Sequence, residues 1–413
     1  MVRRVAPIDD PVHTDRRMSN SRFGPSIPWV LFFMVIVFIA VIPRLLISPL
    51  LLRISSDLGI GFDTASSFFL TTAFGFVVGL LCSGFVSQHM SHRTTVAVAV
   101  ILVGVMTIVV AAIRSYLLFH AALAVLGWVS GLYPGSGLSS VTTIVADEHR
   151  GKALGIHESG PNLAFITAPV LAALLAPHIG WRGIMTGVGV TCILVGVAFA
   201  VYGRGDTSKG EPPHFENLSS LVKNRSFVLI SVLFAVAATA ALGVYSVLPT
   251  YLIVEHGLPE RLVNGLIGAS RVTAFASILS AGSLADRYGF KLVVLVVMGV
   301  TGVATLLLGV ASGTLLLVAV FVQPMIVGGF FPVGFRAITD VISPKIRNLA
   351  VAMAIPVANL MGGGIAPPLF SAVGASGSFR PAFVVLGVVV IASVGILPFL
   401  HERRPAAADV PPS

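Results

Sequence analysis

Long apolar runs recur along the whole chain and constrain its fold more than any other feature. About twelve of them approach the ~20 residues that a helix needs to cross the hydrocarbon core of a bilayer. Of the 413 residues, 56% are hydrophobic and only 10% are charged, which excludes a soluble globular chain. The sequence predicts an all-α membrane protein with twelve transmembrane helices. We place them near residues 29–50, 64–85, 94–113, 116–145, 152–176, 182–202, 227–250, 262–284, 291–311, 313–338, 348–371 and 380–400.

The distribution of Lys and Arg predicts how the chain is oriented. Its net charge is +9, and most basic residues fall on one side of the predicted helices. This is the positive-inside bias that sets membrane topology, so the basic charge does not indicate a partner nucleic acid. We expect a multi-pass protein of the cell (inner) membrane with both termini in the cytoplasm. The basic residues then placed outside are Arg53, Arg114, Arg182, Arg261 and Arg380.

The longest polar interval between apolar runs divides them six and six. We predict a cytoplasmic N-terminal tail at 1–28, a six-helix bundle at 29–202, a linker at 203–226, a second bundle at 227–400 and a tail at 401–413. A shift of 198 residues aligns the halves without gaps, since Gly84, Arg93, Pro134 and Pro169 map onto Gly282, Lys291, Pro332 and Pro367. Two parallel six-helix repeats with a site at their interface are a recognised transporter architecture.

A short segment of the second half, residues 282–291, carries a family signature. It reads Gly-Ser-Leu-Ala-Asp-Arg-Tyr-Gly-Phe-Lys and resembles the loop motif of the major facilitator superfamily, Gly-x-x-x-Asp-Arg-x-Gly-Arg-Lys. The first-half counterpart is degenerate, because Gln88 replaces the acid and Ser91 the second glycine. The resemblance implies the major facilitator fold and a cytoplasmic latch, weaker in the first half. The latch residues it implies are Gly84, Arg93, Gly282, Asp286, Arg287, Gly289 and Lys291.

Two arginines, Arg44 and Arg271, interrupt otherwise apolar helices. Each costs about 2.5–3.5 kcal/mol at the bilayer centre on insertion scales, and such residues usually face a pathway or a partner. Arg271 lies 11 residues before Gly282, roughly 16 Å along the helix and close to the midplane. The repeat places Leu242 and Ala73 at the equivalent positions, so the charges do not belong to the scaffold.

We therefore predict that Arg44 and Arg271 bind an anionic substrate, since a guanidinium donates two parallel hydrogen bonds to carboxylate, sulfonate or phosphate. The alternatives are a structural ion pair for Arg271 and snorkelling to the interface for Arg44. The charge pattern resembles the monocarboxylate transporter branch, and Arg271 also resembles the oxalate–formate antiporters. However, the eighth helix lacks an acid beside Arg271 and the eleventh lacks a lysine.

Glu158 is the only carboxylate that we place well inside a predicted helix. Its protonation would depend on burial and on nearby cations, so we predict a proton-coupling role, with a structural counter-ion to one arginine as the alternative. His157 is a second proton-coupling candidate, although its predicted place near the cytoplasmic mouth is more typical of an interfacial histidine. Gly160-Pro161 partly resembles the fifth-helix signature of drug–proton antiporters, without the glycines expected after the proline.

Four further polar residues are candidates to hydrogen-bond a ligand or to join helices: Tyr133, Tyr245, Asn162 and Asn359. The sequence contains no nucleotide-binding loop, metal-ligand spacing or catalytic triad, so we expect no enzyme, no cofactor and no metal. The prediction is a monomeric, proton-coupled secondary transporter of a small organic anion, with a carboxylate as the expected anionic group, working by rocker-switch alternating access. The alternatives are a drug–proton antiporter exporting cationic or amphipathic compounds, and a non-transporting receptor.

Overall fold

The computed structural model describes residues 23–210 and 218–400, apart from a few side chains. Most of the predicted N-terminal tail, the C-terminal tail and part of the linker lie outside the described residues. The first helix begins at Gly24, inside the segment predicted as a tail.

Within the described ranges the chain forms helices and connecting turns and no strand, which confirms the all-α prediction. The helices that follow the predicted spans are α1 (Gly24–Leu58), α2 (Phe62–Ser87), α3 (His92–Ala112), α4 (Tyr116–Thr143), α5 (150–179), α6 (181–202), α7 (Arg225–Val254), α8 (Glu260–Tyr288), α9 (Phe290–Val310), α10 (Gly313–Val341), α11 (Leu349–Ala375) and α12 (Arg380–Phe399).

The helical run containing α5 and α6 is broken only at Gly180, where φ is 65° and ψ is 174°. At the start of α6, Arg182 donates to the carbonyl of Ala111 at the end of α3. At the other end, Arg93 at the start of α3 donates to the carbonyl of Ala200 over 2.8 Å. These two contacts make α6 antiparallel to α3. The start of α5 and the end of α6 both lie near the start of α1, where Ser26 donates to the carbonyl of Ile144 and the rings of Phe33 and Phe199 are 5.1 Å apart. The chain therefore reverses direction at Gly180, where glycine tolerates the positive φ.

Ten helices in the described ranges are long and apolar enough to cross a membrane, and the bent α8 brings the number to eleven. Because the 56-residue run Asp147–Tyr202 reverses direction, it supplies two crossings, in agreement with the twelve predicted helices. The buried apolar residues form two separate cores, one between residues 30 and 199 and the other between 221 and 400.

The glycines of α2 and α4 bring these two helices into backbone contact. A Cβ on Gly79 would collide with the carbonyl oxygen of Trp128, and one on Gly127 would collide with that of Thr72. Small residues allow this close approach. It stabilises helix pairs in lipid, where the hydrophobic effect does not drive helices together because lipid tails are as apolar as the side chains.

The two cores contact each other through side chains at the far end, which we define as the end where α1 meets α2. Arg53 Nε donates to Glu260 Oε1 over 2.8 Å, and Ser48 Oγ donates to the carbonyl of Tyr245 over 2.8 Å. A cavity of about 500 Å³ lies between the cores, from these contacts toward the opposite, linker end, where residues 203–224 join α6 to α7.

Candidate functional site

Both cores line the central cavity, and six of the eight predicted site residues face it. These six are Arg44, Tyr133, His157, Glu158, Tyr245 and Asn359. The other two, Arg271 and Asn162, line a smaller pocket of about 130 Å³. The pocket and the cavity share Phe165, Leu242 and Phe331 in their walls, so the two spaces adjoin. The structure thus places all eight residues in one region between the halves.

Arg44 of α1 lies flat against an aromatic ring of α2. Its guanidinium carbon is 3.9 Å from the centroid of Phe76, a cation–π contact that favours a cation away from water. Among the described residues Arg44 forms no hydrogen bond and no ion pair. It faces the cavity and does not snorkel to the interface, which was the alternative drawn from sequence.

Arg271 of α8 lies between two aromatic rings from opposite halves. Its guanidinium carbon is 4.8 Å from the ring of Tyr245 and 5.5 Å from that of Phe165. The rings themselves meet edge to face at 4.9 Å. Arg271 Nε and the Tyr245 hydroxyl are both buried and have no hydrogen-bond partner, and no described carboxylate pairs with Arg271. Unpaired buried donors cost about 1–3 kcal/mol, so this pocket suits an acceptor supplied by a ligand.

Tyr133, His157 and Glu158 form a hydrogen-bonded chain that begins in the core of the first half. The Tyr133 hydroxyl lies 2.8 Å from His157 Nε2, and His157 Nδ1 lies 3.0 Å from Glu158 Oε1. The carboxylate at Nδ1 favours the tautomer with hydrogen on that nitrogen, leaving Nε2 to accept from Tyr133. The Glu158 side chain is 63% exposed, so the chain ends at the cavity.

Two sequence expectations about this chain need correction. His157 is only 3% exposed, so its interpretation as an interfacial histidine is wrong. The close contact of α5 with α1, through Gly160 against Met34, buries it. Glu158 pairs with His157 and not with an arginine in the described part of the chain, so the counter-ion alternative is not what the structure shows.

The two asparagines donate within their own helices and do not join neighbouring ones. Asn162 Nδ2 donates to the carbonyl of Glu158 over 2.9 Å, and Asn359 Nδ2 donates to that of Ile355 over 3.2 Å. Asn359 begins a π-helical segment, Asn359–Ile365, and a second one occupies Thr239–Gly243. Such wide turns are frequent at functional sites, and both line the cavity region.

The latch residues make contacts within their own halves. Asp286 pairs with Arg336, which also bonds Asp340 over 3.3 Å. Arg93 bonds the end of α6 as described above. Gly289 has a φ of 80°, which explains the second glycine of the motif. The remaining latch positions lie in the last turn of α2, the last two turns of α8 and the first turn of α9: Gly84, Gly282, Arg287 and Lys291.

Asp206 in the linker is a residue that sequence reasoning missed. It is 8% exposed and accepts hydrogen bonds from Ser139 Oγ over 2.6 Å and from the Ser208 amide over 2.8 Å. Burial alone would raise the pKa of Asp206, but the hydrogen bonds from Ser139 and Ser208 outweigh it and hold this pKa below its ordinary value. Its carbonyl accepts from the Arg93 amide over 2.8 Å. The backbone of this linker residue thus contacts the start of α3, next to the loop with Gln88, while its carboxylate bonds α4 and the linker itself.

The Major Facilitator Superfamily matches residues 33–281 and 266–413. A probable sulfoacetate transporter of Cupriavidus necator is 33% identical over 152 residues, which cover 37% of this chain and 35% of that protein. A chloramphenicol resistance protein of Streptomyces lividans is 26% identical over 84% of this chain and 89% of its own length. A cis,cis-muconate transport protein of Acinetobacter baylyi is 23% identical over 81% and 84%, respectively.

A similar solved structure is that of a bacterial homologue of the human lysosomal transporter Spinster in an inward-facing, occupied conformation. Its TM-score is 0.77 at 15% sequence identity, and the match covers 94% of this chain and 100% of that one. This likeness shows a shared fold. With the apolar helices of the described residues packed in two cores around a charged cavity, and a family match along nearly the whole sequence, the chain belongs to the Major Facilitator Superfamily and is a membrane transporter, not an enzyme.

Proposed function

We propose that the chain is a proton-coupled secondary transporter of a small organic anion, with a carboxylate as its recognised group. One observation carries the proposal: two guanidinium groups, one from each half, line adjoining cavities and have no acidic partner among the described residues. The names of the sulfoacetate and cis,cis-muconate transporters, which are both anion transporters, support the same substrate class.

The transport cycle follows from the charge of the cavity. An empty cavity that closes around Arg44 and Arg271 would strip water from two unpaired cations, which is costly in a low-dielectric surrounding. A bound anion offsets that cost, so closure is favoured when substrate is present. We propose that the bundles at 29–202 and 227–400 rock around this site. The protein then lies in the inner membrane, with both termini and the 203–226 linker in the cytoplasm. The far-end contacts then make this an inward-facing state.

The hydrogen-bonded chain supplies a route for proton coupling. Glu158 is the titratable end that meets the cavity, while His157 and Tyr133 lie behind it in the core. A proton on Glu158 removes one negative charge that would otherwise repel the substrate. Proton and anion therefore favour each other's binding, which is the thermodynamic requirement for symport.

A drug–proton antiporter is the second candidate. An exposed carboxylate in a cavity with aromatic walls, together with the resistance protein among the relatives, favours it. In that case Glu158 would attract a cationic or amphipathic compound and the arginines would be structural. The fifth-helix resemblance to such proteins adds little, because a Cβ on Gly160 would meet the Met34 carbonyl at 2.6 Å and the glycine thus serves helix packing.

Uptake into proteoliposomes distinguishes these candidates. Labelled monocarboxylates, dicarboxylates and a cationic dye are offered with and without an inward proton gradient to the wild type, Arg271→Ala and Glu158→Gln. We expect anion uptake that rises with the gradient and an apparent affinity reduced about 10- to 100-fold in Arg271→Ala, because charged hydrogen bonds contribute about 1.5–3 kcal/mol. Arg114→Ala, at an exposed arginine of the α3–α4 loop, is the matched control and should behave as the wild type.

Two results would contradict the proposal. The first is anion uptake by correctly inserted Arg271→Ala that equals the wild type in rate and affinity. The second is dye movement against protons that ignores Arg271→Ala but is lost in Glu158→Gln, which would establish the antiporter instead.

A further inference from the structure

We infer, on the basis of the proposed function, that the substrate carries two acidic groups, one for Arg44 and one for Arg271. The two cations have separate places in the site. Arg44 lies in the large cavity on a ring of the first half, and Arg271 lies in the small pocket against Tyr245 of the second half and Phe165 of the first. Each guanidinium is held by its own aromatic contact, so each keeps its own position when the other is occupied.

The charges of the site require a second acidic group. Among the described residues, Glu158 is the carboxylate that lines the cavity. Its Oε1 lies 3.0 Å from His157 Nδ1, and it forms no ion pair with an arginine. A substrate with one acidic group would pair with one guanidinium and leave the other unpaired. When the cavity closes, that cation would lose water without gaining a partner. A substrate with two acidic groups pairs both cations.

One ligand can reach both cations because their spaces adjoin. The cavity that Arg44 lines and the pocket that Arg271 lines share Phe165, Leu242 and Phe331 in their walls. The cavity of about 500 Å³ has the size of a small-molecule site, so it has room for a carbon spacer between two acidic groups.

The walls between the cations indicate what the middle of the substrate is like. Phe165, Leu242 and Phe331 belong to both the cavity and the pocket. A polar spacer would lose hydrogen bonds to water against these side chains without regaining them. The chemical class is thus a small dianion with acidic ends and an apolar spacer. Such a ligand also bridges α1 of one half to α8 of the other, so binding favours the approach of the halves.

The test compares acids of matched length that differ in one end group. Binding to the purified full chain is measured by thermal shift and by competition against labelled glutarate, for succinate, glutarate, adipate and pimelate and for the corresponding monocarboxylates. We expect the best dicarboxylate to bind about 10-fold or more tighter than its monocarboxylate, since one charged hydrogen-bonded contact is worth about 1.5–3 kcal/mol.

Variants of Arg44 and Arg271 test whether each arginine binds one of the two acidic groups of the ligand. Arg44→Ala and Arg271→Ala should each lower the affinity for the dicarboxylate to that for its monocarboxylate, while Arg44→Lys, which keeps the charge, should retain part of the preference. Arg114→Ala is the control for an exposed arginine. A normal thermal midpoint without ligand shows that a variant is folded.

Equal affinity for a dicarboxylate and its monocarboxylate in the wild type, with Arg271→Ala weakening both, would overturn the two-group inference and leave the proposed function standing. A preference that survives Arg44→Ala would overturn it as well. If no carboxylate of either series binds or is transported, the proposed function itself fails.

Discussion

At the scale of single residues, aromatic rings take the place of acids around the two buried cations. Cation–π contacts contribute about 0.5–2 kcal/mol, less than the insertion cost of about 2.5–3.5 kcal/mol for each arginine. The rings at Phe76, Tyr245 and Phe165 therefore offset only part of that cost. An acid in their place would have saturated the guanidinium groups, whereas rings leave the N–H donors available to a ligand.

A prediction at the same scale concerns Asp206. Because its folded-state pKa is lowered, ionised Asp206 stabilises the fold at pH values above its ordinary pKa, and this contribution is lost as the pH falls through the folded-state pKa. Asp206→Asn should lower the thermal midpoint of the detergent-purified protein at pH 7, by the equivalent of about 1–3 kcal/mol for charged hydrogen bonds. The difference from the wild type should shrink in acid, below about pH 4.

The matched control for Asp206 is Asp63→Asn, at an exposed aspartate whose carboxylate has no hydrogen bond to a described residue. Equal midpoints for Asp206→Asn and Asp63→Asn at pH 7 would show that the Asp206 carboxylate does not hold the linker to α4.

At the scale of helices, the repeat is preserved in backbone contacts more clearly than in side chains. Gly104 of α3 meets the backbone of Gly189 in α6, and Gly302 of α9 meets that of Gly387 in α12. These pairs are related by the same shift of 198 residues that aligns the sequence halves. Since lipid offers no hydrophobic force between helices, close packing at small residues is what holds such pairs together. The charged residues do not follow the repeat, since Leu242 and Ala73 stand at the positions equivalent to Arg44 and Arg271.

Helix packing gives a prediction for Gly79→Ala. The added Cβ would collide with the Trp128 carbonyl oxygen, which is backbone and cannot turn aside, so α2 and α4 must separate. We expect a thermal midpoint lowered by the equivalent of about 1–3 kcal/mol, as for overpacked cores. Differential scanning fluorimetry measures it.

The control variant is Gly299→Ala in α9, because a Cβ there meets nothing within 4 Å. It should be neutral or slightly stabilising, since alanine favours a helix over glycine by about 1 kcal/mol. A midpoint for Gly79→Ala as high as that of Gly299→Ala would refute the role of this packing.

At the scale of the whole molecule, contacts between the halves at the far end hold this conformation. The Arg53–Glu260 pair joins α1 to α8 at 2.8 Å, with side chains 36% and 29% exposed. Pairs of this exposure contribute about 0–1 kcal/mol, so the closed far end is favoured only modestly by this contact. A modest bias suits a transporter, because the opposite conformation must remain accessible within each cycle.

Breaking this pair should shift the conformational equilibrium. Arg53→Glu should raise the population open at the far end by up to about fivefold, and Arg53→Glu with Glu260→Arg should restore it. Distances between spin labels at Ser115 and Ser312, two exposed loop positions of opposite halves, report the opening. Asp57→Asn is the control, because it breaks the Arg182 ion pair at the same end but within one half. An unchanged distance distribution in Arg53→Glu would show that the pair does not hold the far end closed.

Much of the fold was predictable from sequence because the signals for it are local. Apolar runs specify membrane helices one at a time, and the repeat and the motif at residues 282–291 identify the family. The sequence indicated the break at Gly180 only as the gap between two predicted helices, 152–176 and 182–202. The site was predictable in its charged members, since Arg44, Arg271 and Glu158 stand out in apolar surroundings, whereas the aromatic residues beside them look like any other apolar residue.

The sequence by itself determined the class of structure, the number of crossings and the presence of buried charge, because hydropathy and charge belong to each residue wherever it lies. Only the tertiary structure decided which groups meet. It placed His157 in the core beside Tyr133, gave each arginine an aromatic ring instead of an acid, and brought Asp206 to the first-half loop. These partners come from other helices or from the linker, and no local pattern specifies which faces of packed helices will touch.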